Sequence, residues 1–215
     1  WFGILGIIGG EVGNLIAYGY APAAIVTPIG SIGVVTNVLI TTWVLKEPLT
    51  ILNIFGVLCV VAGIVIVVLF APKAVITFSS RTVWNDVIFT RHFGIYLAVL
   101  AGSLMIMIPV SRKYGKKSVL IYIIMCAIIA SLTIVCAKSF STLLISSAEN
   151  GIGTELLSPW PYIFLIVMVI TAVLSMGYVN KAMMIFDNSQ VVPTYFSLFT
   201  TASVGAVGWV YHEFD

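Results

Sequence analysis

Residues 1–30 read WFGILGIIGGEVGNLIAYGYAPAAIVTPIG, and this stretch indicates the class of fold. Its first twenty residues carry one charged side chain, Glu11, and Ala21-Pro22 then interrupts the apolar run. A helix that crosses a bilayer needs about 20 mostly apolar residues, so this run predicts a transmembrane helix. A carboxylate near the centre of such a helix costs roughly 2.5–3.5 kcal/mol on insertion scales. Glu11 is therefore expected to serve an ion pathway.

The composition excludes a soluble globular domain. Hydrophobic residues make up 60% of the 215 residues and charged residues 8%, whereas soluble domains carry about 25% charged residues. The net charge of +2 offers no nucleic-acid-binding surface. The three cysteines lie in apolar runs without metal-ligand spacing and are interpreted as small core residues (Cys59, Cys126 and Cys136). Both ends lie in or beside apolar stretches, so we expect a fragment truncated at both ends.

Seven apolar segments are long enough to cross a membrane. We predict them at about 1–20, 22–45, 50–70, 93–110, 118–137, 160–180 and 191–212. Pro28 predicts a kink or a break within the second segment, and residues 139–159 predict a Ser/Gly-rich loop. The small-residue spacing of Gly6 with Gly10, and of Gly9 with Gly13, permits close helix approach. The predicted fold class is an all-α polytopic membrane protein.

Basic residues in the loops predict the orientation of these segments. One side of the membrane collects six of them (Lys46, Arg112, Lys113, Lys116, Lys117 and Lys181), and the other collects four (Lys73, Arg81, Arg91 and Lys138). The short basic turn at 111–117 is therefore expected to face the cytoplasm. Contact of this turn with anionic lipid is a lesser alternative.

Two stretches of the chain share an order of residues and predict an internal repeat. In the first copy, Pro28 follows Asn14 by 14 residues, and Glu47 follows Pro28 by 19. In the second copy, Pro193 follows Asn180 by 13 residues, and Glu213 follows Pro193 by 20. An odd number of spans separates the copies, so they run in opposite directions. This predicts an inverted-topology repeat within a single domain, 1–215. Its parts are about 1–70, a linking helix at about 93–110, and about 118–215.

Motifs along nearly the whole chain resemble the NIPA family of magnesium transporters, within the drug/metabolite transporter superfamily. They include Gly10-Glu11-x-x-Asn14, Ala21-Pro22-Ala23, Val26-Thr27-Pro28-x-Gly30, Ser131-Leu132-Thr133, Tyr178-Val179-Asn180-Lys181-Ala182 and Val192-Pro193-Thr194-Tyr195. The chain departs from the family pattern at Cys126-Ala127, Ala130 and Phe214. The resemblance implies a multi-span helix bundle that carries Mg²⁺ across a plasma or endosomal membrane.

The residue types around Glu11 suit a magnesium pathway. Mg²⁺ prefers oxygen ligands, gives up water reluctantly, and usually binds through one or two carboxylates. Glu11 supplies a carboxylate, and Asn14 lies at i+3 on the same helix face with an amide oxygen. Thr27, beside the break at Pro28, adds a hydroxyl. We expect these three to line a hydrated path. The alternative is a structural Glu11 paired with Lys181 or Lys138.

Further pathway candidates come from the repeat. Paired proline-interrupted helices indicate the binding site of a transporter, which adds Pro28 and Pro193 to the candidates. Asn180 is added because it occupies the position of Asn14 in the second copy. We interpret Glu47 and Glu213 as the ends of the repeats. The alternative is that they form an acidic entrance to the pathway, where cations are concentrated. Mg²⁺ is the expected substrate, and no resident cofactor is expected.

Other functions stay open. A metabolite carrier of the same superfamily, for nucleotide sugars or organic cations, is one alternative, although no mid-span Arg is present to bind an anionic substrate. A non-transporting membrane scaffold or accessory protein is another. An enzyme is not expected, because the sequence holds no His/Asp, Cys/His or paired-carboxylate constellation within one membrane depth. The expected partners are the lipid bilayer and the cation, without nucleic acid; a homo-oligomer is left open.

Overall fold

The computed structural model describes residues 2–43, 51–70, 88, 90–115, 117–150, 157–186 and 188–211. In these ranges the chain forms eight α-helices. They are α1 (Phe2–Tyr20), α2 (Ala23–Gly30), α3 (Ile32–Trp43), α4 (Ile51–Phe70), α5 (Arg91–Tyr114), α6 (Val119–Asn150), α7 (Trp160–Ile185) and α8 (Asn188–Tyr211).

Four of these helices are long and apolar enough to cross a membrane: α5, α6, α7 and α8. A shorter apolar stretch, Ile54–Phe70, lies within α4. Long apolar helices satisfy every backbone N–H and C=O internally, which the bilayer requires. The prediction of an all-helical membrane protein is thereby confirmed. The sequence predicts seven spans, and the described residues contain four helices long and apolar enough to cross a membrane.

The second predicted segment is divided in two, as Pro28 suggested. Helix α2 ends at Gly30, and α3 begins at Ile32 after the single residue Ser31. The backbone N–H of Ser31 donates to the Pro28 carbonyl at 2.9 Å, which closes the end of α2. Proline has no backbone N–H and crowds the preceding turn, so a helix that contains it tends to bend or stop nearby.

The predicted loop at 139–159 is wrong over its first part. Helix α6 continues to Asn150, and Ser139, Ser141 and Thr142 within it are buried. Serine weakens an exposed helix because its hydroxyl competes for backbone groups. Here the Ser139 hydroxyl donates to the Val135 carbonyl at 3.0 Å, one turn earlier. The Ser139 hydroxyl is thus satisfied inside the helix, and packing stabilises a segment whose composition suggested a loop.

The basic turn also begins later than predicted. Helix α5 runs to Tyr114, so Arg112 and Lys113 lie in its last turn. Cations at that position interact favourably with the negative end of the helix dipole. The chain leaves the helix at Gly115, whose N–H donates to the Ser111 carbonyl at 3.0 Å.

Helix α6 is the centre of the packing. It contacts α7 and α8 most extensively, and α1 and α5 along other faces. The main buried cluster draws on α1, α2, α6, α7 and α8 (Tyr18, Ala23, Val26, Ile134, Val135, Cys136, Ala137, Leu143, Phe164, Ala206, Val207, Val210 and Tyr211). By contrast, most described side chains of α4 are exposed. The fold therefore places α1 against α6, and α2 mainly against α8.

Close approach between α1 and α6 occurs at Gly19. A Cβ atom there would overlap the Ile145 side chain and lie 2.6 Å from the Ser141 hydroxyl, so a larger residue would require these side chains to shift. The four glycines for which the spacing suggested close packing meet no described neighbour within 4 Å (Gly6, Gly9, Gly10 and Gly13). The tight contact thus lies at the end of α1 rather than in its first half.

Candidate functional site

Glu11 lies on a polar stripe of α1. Asn14 and Tyr18 follow it at i+3 and i+7, so the three side chains share one helix face. The side chains of Glu11 and Asn14 are exposed, whereas Tyr18 is only 5% exposed. The stripe is therefore open around the carboxylate and enters the packed core one to two turns later.

Thr27 continues the stripe onto the neighbouring helix. Its side chain is 4% exposed, and its Oγ1 lies 3.3 Å from the Tyr18 hydroxyl in a hydrogen bond that either group could donate. A threonine hydroxyl has one proton and two lone pairs, so this bond leaves it further capacity. The structure thus places Thr27 at the buried, Tyr18 end of the stripe that carries Glu11 and Asn14.

Helix α8 reaches the same region through Tyr195. The Glu11 carboxylate interacts electrostatically with both Tyr18 and Tyr195. The Tyr195 ring stacks on Phe199, with 5.4 Å between ring centroids, which fixes its position on α8. Tyr195, far from Glu11 in sequence, therefore lies close enough to the predicted carboxylate to be affected by its charge.

A cavity of about 600 Å³ lies between α2, α4 and α8. Pro28 and Pro193, the two prolines that the repeat paired, both line it. Hydroxyl groups of α8 and of Ser31, which directly follows α2, also face it, and the Oγ atom of Ser31 lies 3.4 Å from Oγ1 of Thr200. The remaining described lining is apolar, hydroxyl-bearing or glycine. The described lining is thus uncharged, and a hydroxyl contact joins the end of α2 to α8.

Of the other predicted site residues, only Asn180 lies in the described ranges, and it is found elsewhere. Asn180 is exposed on α7, five residues before that helix ends, and α7 does not line the cavity. Glu47 and Glu213 lie outside the described residues. Glu11 and Asn14 do not line the cavity either, so the carboxylate stripe and the cavity are separate features. They are adjacent through α2, where Thr27 meets Tyr18 and Pro28 faces the cavity.

The position predicted for Lys138 is wrong. The sequence predicts a loop residue at the membrane edge, whereas Lys138 lies inside α6 and is 0% exposed. Its Nζ donates to the Ala21 carbonyl at 2.9 Å, directly after α1 ends. Carbonyls at a helix C-terminus carry partial negative charge and lack helical partners. Lys138 therefore ties the joint between α1 and α2 to the scaffold helix.

Further buried hydroxyl contacts reinforce this scaffold. The Ser141 hydroxyl donates to the Leu15 carbonyl at 2.5 Å, close to Gly19. On another face, Ser139 and Tyr211 share a hydrogen bond of 2.5 Å that joins α6 to α8. A sequence signal for this role was present, because serine and threonine recur between 131 and 147 inside an otherwise apolar stretch. That signal was interpreted as the start of a loop.

The donor set fits a hydrated cation better than a dehydrated one. Within the described ranges, no group of three or more His, Cys, Asp or Glu side chains lies together. Mg²⁺ keeps several waters and needs only one or two protein carboxylates. Glu11 on α1 supplies that negative charge, while Asn14 on α1 and Thr27 on α2 offer neutral oxygens.

Comparison with known proteins places the chain in a family. The model of the family described as Magnesium transporter NIPA matches residues 1–215. Probable magnesium transporter NIPA5 of Arabidopsis thaliana is 28% identical over 217 residues, which cover 100% of this chain and 55% of that protein. Magnesium transporter NIPA4 of Homo sapiens is 29% identical over 204 residues, covering 95% of this chain and 50% of the relative.

A third relative, Probable magnesium transporter NIPA1 of Arabidopsis thaliana, is 30% identical over 205 residues, covering 95% of this chain and 60% of the relative. The chain spans about half of the length of the curated relatives that it matches. No solved structure matches it. Because the family model covers every residue, the chain belongs to the magnesium transporter NIPA family.

Proposed function

We propose that the protein carries Mg²⁺ across a membrane, with Glu11 and Asn14 lining a hydrated pathway. One structural observation carries this proposal: the exposed Glu11 and Asn14 share a face of α1 with Tyr18, and the Tyr18 hydroxyl is hydrogen-bonded to Thr27 of the proline-containing helix α2. The relatives named as magnesium transporters support the choice of cation. The membrane is proposed to be the plasma membrane or an endosomal membrane.

The chemistry of the pathway follows from a single carboxylate with neutral oxygen donors. Glu11 attracts the cation, and Asn14 and Thr27 stabilise its water shell through hydrogen bonds. Release stays fast because several waters are retained and few ligands must be exchanged. The membrane potential suffices as a driving force, since each charge gains about 2.3 kcal/mol per 100 mV.

The inverted repeat and the seven-span arrangement belong to this proposal. In such transporters two halves rock around a site at their interface. Pro28 and Pro193 occupy equivalent positions in the proposed repeats, and both line the cavity between α2 and α8. The empty volume beside them would allow the two helices to move against one another.

Contacts of α1 with α6 support the proposed topology. Leu15 contacts Ser141, and Gly19 lies against Ile145, so residue numbers increase together on the two helices. Helices that pack in this way run in the same direction. Four crossings separate the first and the fifth proposed spans, and an even number requires this parallel orientation.

Ion uptake into liposomes tests the function. The full-length protein would be reconstituted with an internal magnesium indicator and a potassium-diffusion clamp of the membrane potential. Mg²⁺ entry is expected to rise as the interior becomes negative, and a panel of divalent cations would rank its selectivity. Uptake of an organic cation or a nucleotide sugar without Mg²⁺ entry would favour the metabolite carrier. Folded protein that moves none of these solutes would favour the scaffold function.

Cross-linking α2 to α8 is expected to stop transport. Ser31→Cys and Thr200→Cys, in a background with the native cysteines replaced by alanine, would form a disulfide where the hydroxyl oxygens are now 3.4 Å apart. If the repeats rock, oxidation should abolish Mg²⁺ uptake and reduction should restore it.

A matched control joins two helices of the same proposed repeat. Thr133 and Thr171 link α6 to α7, with their Oγ1 atoms 2.9 Å apart. The pair Thr133→Cys and Thr171→Cys should leave uptake intact after oxidation. Normal uptake by the oxidised α2–α8 pair, with cross-linking verified by mass, would argue against rocking at this interface.

A further inference from the structure

The turn between α5 and α6 concentrates positive charge at one end of the helix bundle. Arg112, Lys113 and Lys117 are exposed there, and Lys116 lies between them in sequence. From Arg91 to Ala148 the sequence contains no aspartate or glutamate. The parts of α5 and α6 that adjoin this basic turn, residues 112–117, therefore carry no acidic residue that could neutralise its charge.

The turn holds its charges in a defined arrangement. The Nζ atoms of Lys113 and Lys117 lie 5.3 Å and 5.8 Å from the centre of the Tyr114 ring, so two cations flank one aromatic side chain. The N–H of Lys117 donates to the Tyr114 carbonyl at 2.9 Å. Gly115 is buried, and a Cβ there would lie 2.7 Å from the Tyr122 ring. Packing of Gly115 on α6 thus fixes the described part of the turn, which lowers the entropy cost of binding a ligand.

A second cation lies at the same end of the bundle. Lys181 is exposed on α7, with its Nζ 5.5 Å from the centre of the Tyr178 ring. The next residue, Ala182, packs in a buried cluster with Ile123 and Val191, which Val119 and Tyr122 of α6 adjoin. Because Tyr122 also contacts Gly115, the end of α7 and the basic turn lie at the same end of α6.

We propose that this end of the bundle binds the headgroup of an anionic phospholipid in the leaflet that the turn faces. Clusters of basic residues directly beside membrane helices attract anionic lipids, and tyrosine side chains favour the headgroup region. The number of basic residues in a loop is enough to set the orientation of a protein in the membrane, without any defined arrangement of their side chains. The turn packed on α6 and the three lysine–tyrosine contacts go beyond that requirement, and they suit a multivalent anionic headgroup.

Native mass spectrometry of the full-length protein in detergent micelles tests this proposal. A micelle has no leaflets, so lipid binding is measured independently of membrane orientation. The probes are phosphatidylserine and a phosphatidylinositol bisphosphate, with phosphatidylcholine as the neutral reference. We expect the wild-type protein to retain the anionic lipids preferentially. The variant R112Q/K113Q/K117Q should lose at least about fivefold of this preference, given the strength of each basic residue at an anionic surface.

Arg91→Gln is the matched control. Arg91 is also exposed and basic, but it lies at the other end of α5, so this variant should bind lipids like the wild type. An unchanged preference in R112Q/K113Q/K117Q would overturn the proposal, as would an equal loss in Arg91→Gln. Should the triple variant fail to fold, the pair Lys113→Gln and Lys117→Gln is read against the same control. Neither outcome depends on whether the protein transports Mg²⁺.

Discussion

Replacing Glu11 with glutamine is expected to lower Mg²⁺ uptake by the full-length protein by about tenfold or more, because a divalent cation prefers an ionised carboxylate to a neutral amide. The amide nearly preserves the size of the side chain and removes its negative charge. Glu11 is exposed on α1, so the loss of charge should cost little folding stability. The measurement is initial Mg²⁺ influx in liposomes, normalised to the amount of folded protein.

Two further variants serve as controls for the Glu11→Gln measurement. Glu11→Asp keeps the charge on a shorter side chain and should retain an intermediate rate. Arg91→Gln removes an exposed charge on α5, far from the stripe in sequence, and should transport normally. An unchanged influx in Glu11→Gln, with equal reconstitution, would remove Glu11 from the pathway and would leave a structural role for its carboxylate.

Replacing Lys138 with glutamate is expected to prevent stable folding. The Nζ of Lys138 is buried and donates to the Ala21 carbonyl at 2.9 Å. A carboxylate at that position would face the partial negative charge at the end of α1. An uncompensated buried charge typically costs about 3–5 kcal/mol. The thermal midpoint of the detergent-solubilised protein should fall markedly, or monodisperse protein should not be recovered.

Lys181→Glu is the matched control for this substitution. It makes the same chemical change at an exposed position on α7, where water or headgroups solvate either charge. Its thermal midpoint should stay close to that of the wild type. Equal stability of Lys138→Glu and the wild type would show that the contact with Ala21 does not hold the α1–α2 joint.

The predictability of the fold can be judged from α2 and α6. Pro28 acts through its own backbone chemistry, so the break after α2 could be inferred from sequence alone. The extent of α6 could not. Its serines and threonines lower local helix propensity, and their burial against α1 and α8 depends on residues more than 70 positions away, such as Tyr211. Tertiary packing overrides propensity in such segments.

The candidate site divides in the same way. Asn14 shares a face with Glu11 because helical spacing requires it, and this was predictable. The similarity of the two stretches paired Pro28 with Pro193, which the structure then places around one cavity. The bond between Lys138 and Ala21 joins segments that are 117 residues apart, and no local pattern encodes it. Long-range polar contacts of this kind required the structure.

The most direct test of the account asks whether water and Mg²⁺ reach position 11. In a cysteine-free background, Glu11→Cys would be exposed to a membrane-impermeant, water-soluble thiol reagent in the reconstituted full-length protein, with and without Mg²⁺. Neighbouring Ile16→Cys, on the same helix, provides a reference rate. We predict that the cysteine at position 11 reacts readily and that Mg²⁺ slows the reaction. A cysteine at position 11 that the water-soluble reagent does not modify would contradict a cation pathway along α1. A rate of modification that is the same with and without Mg²⁺ would contradict it as well.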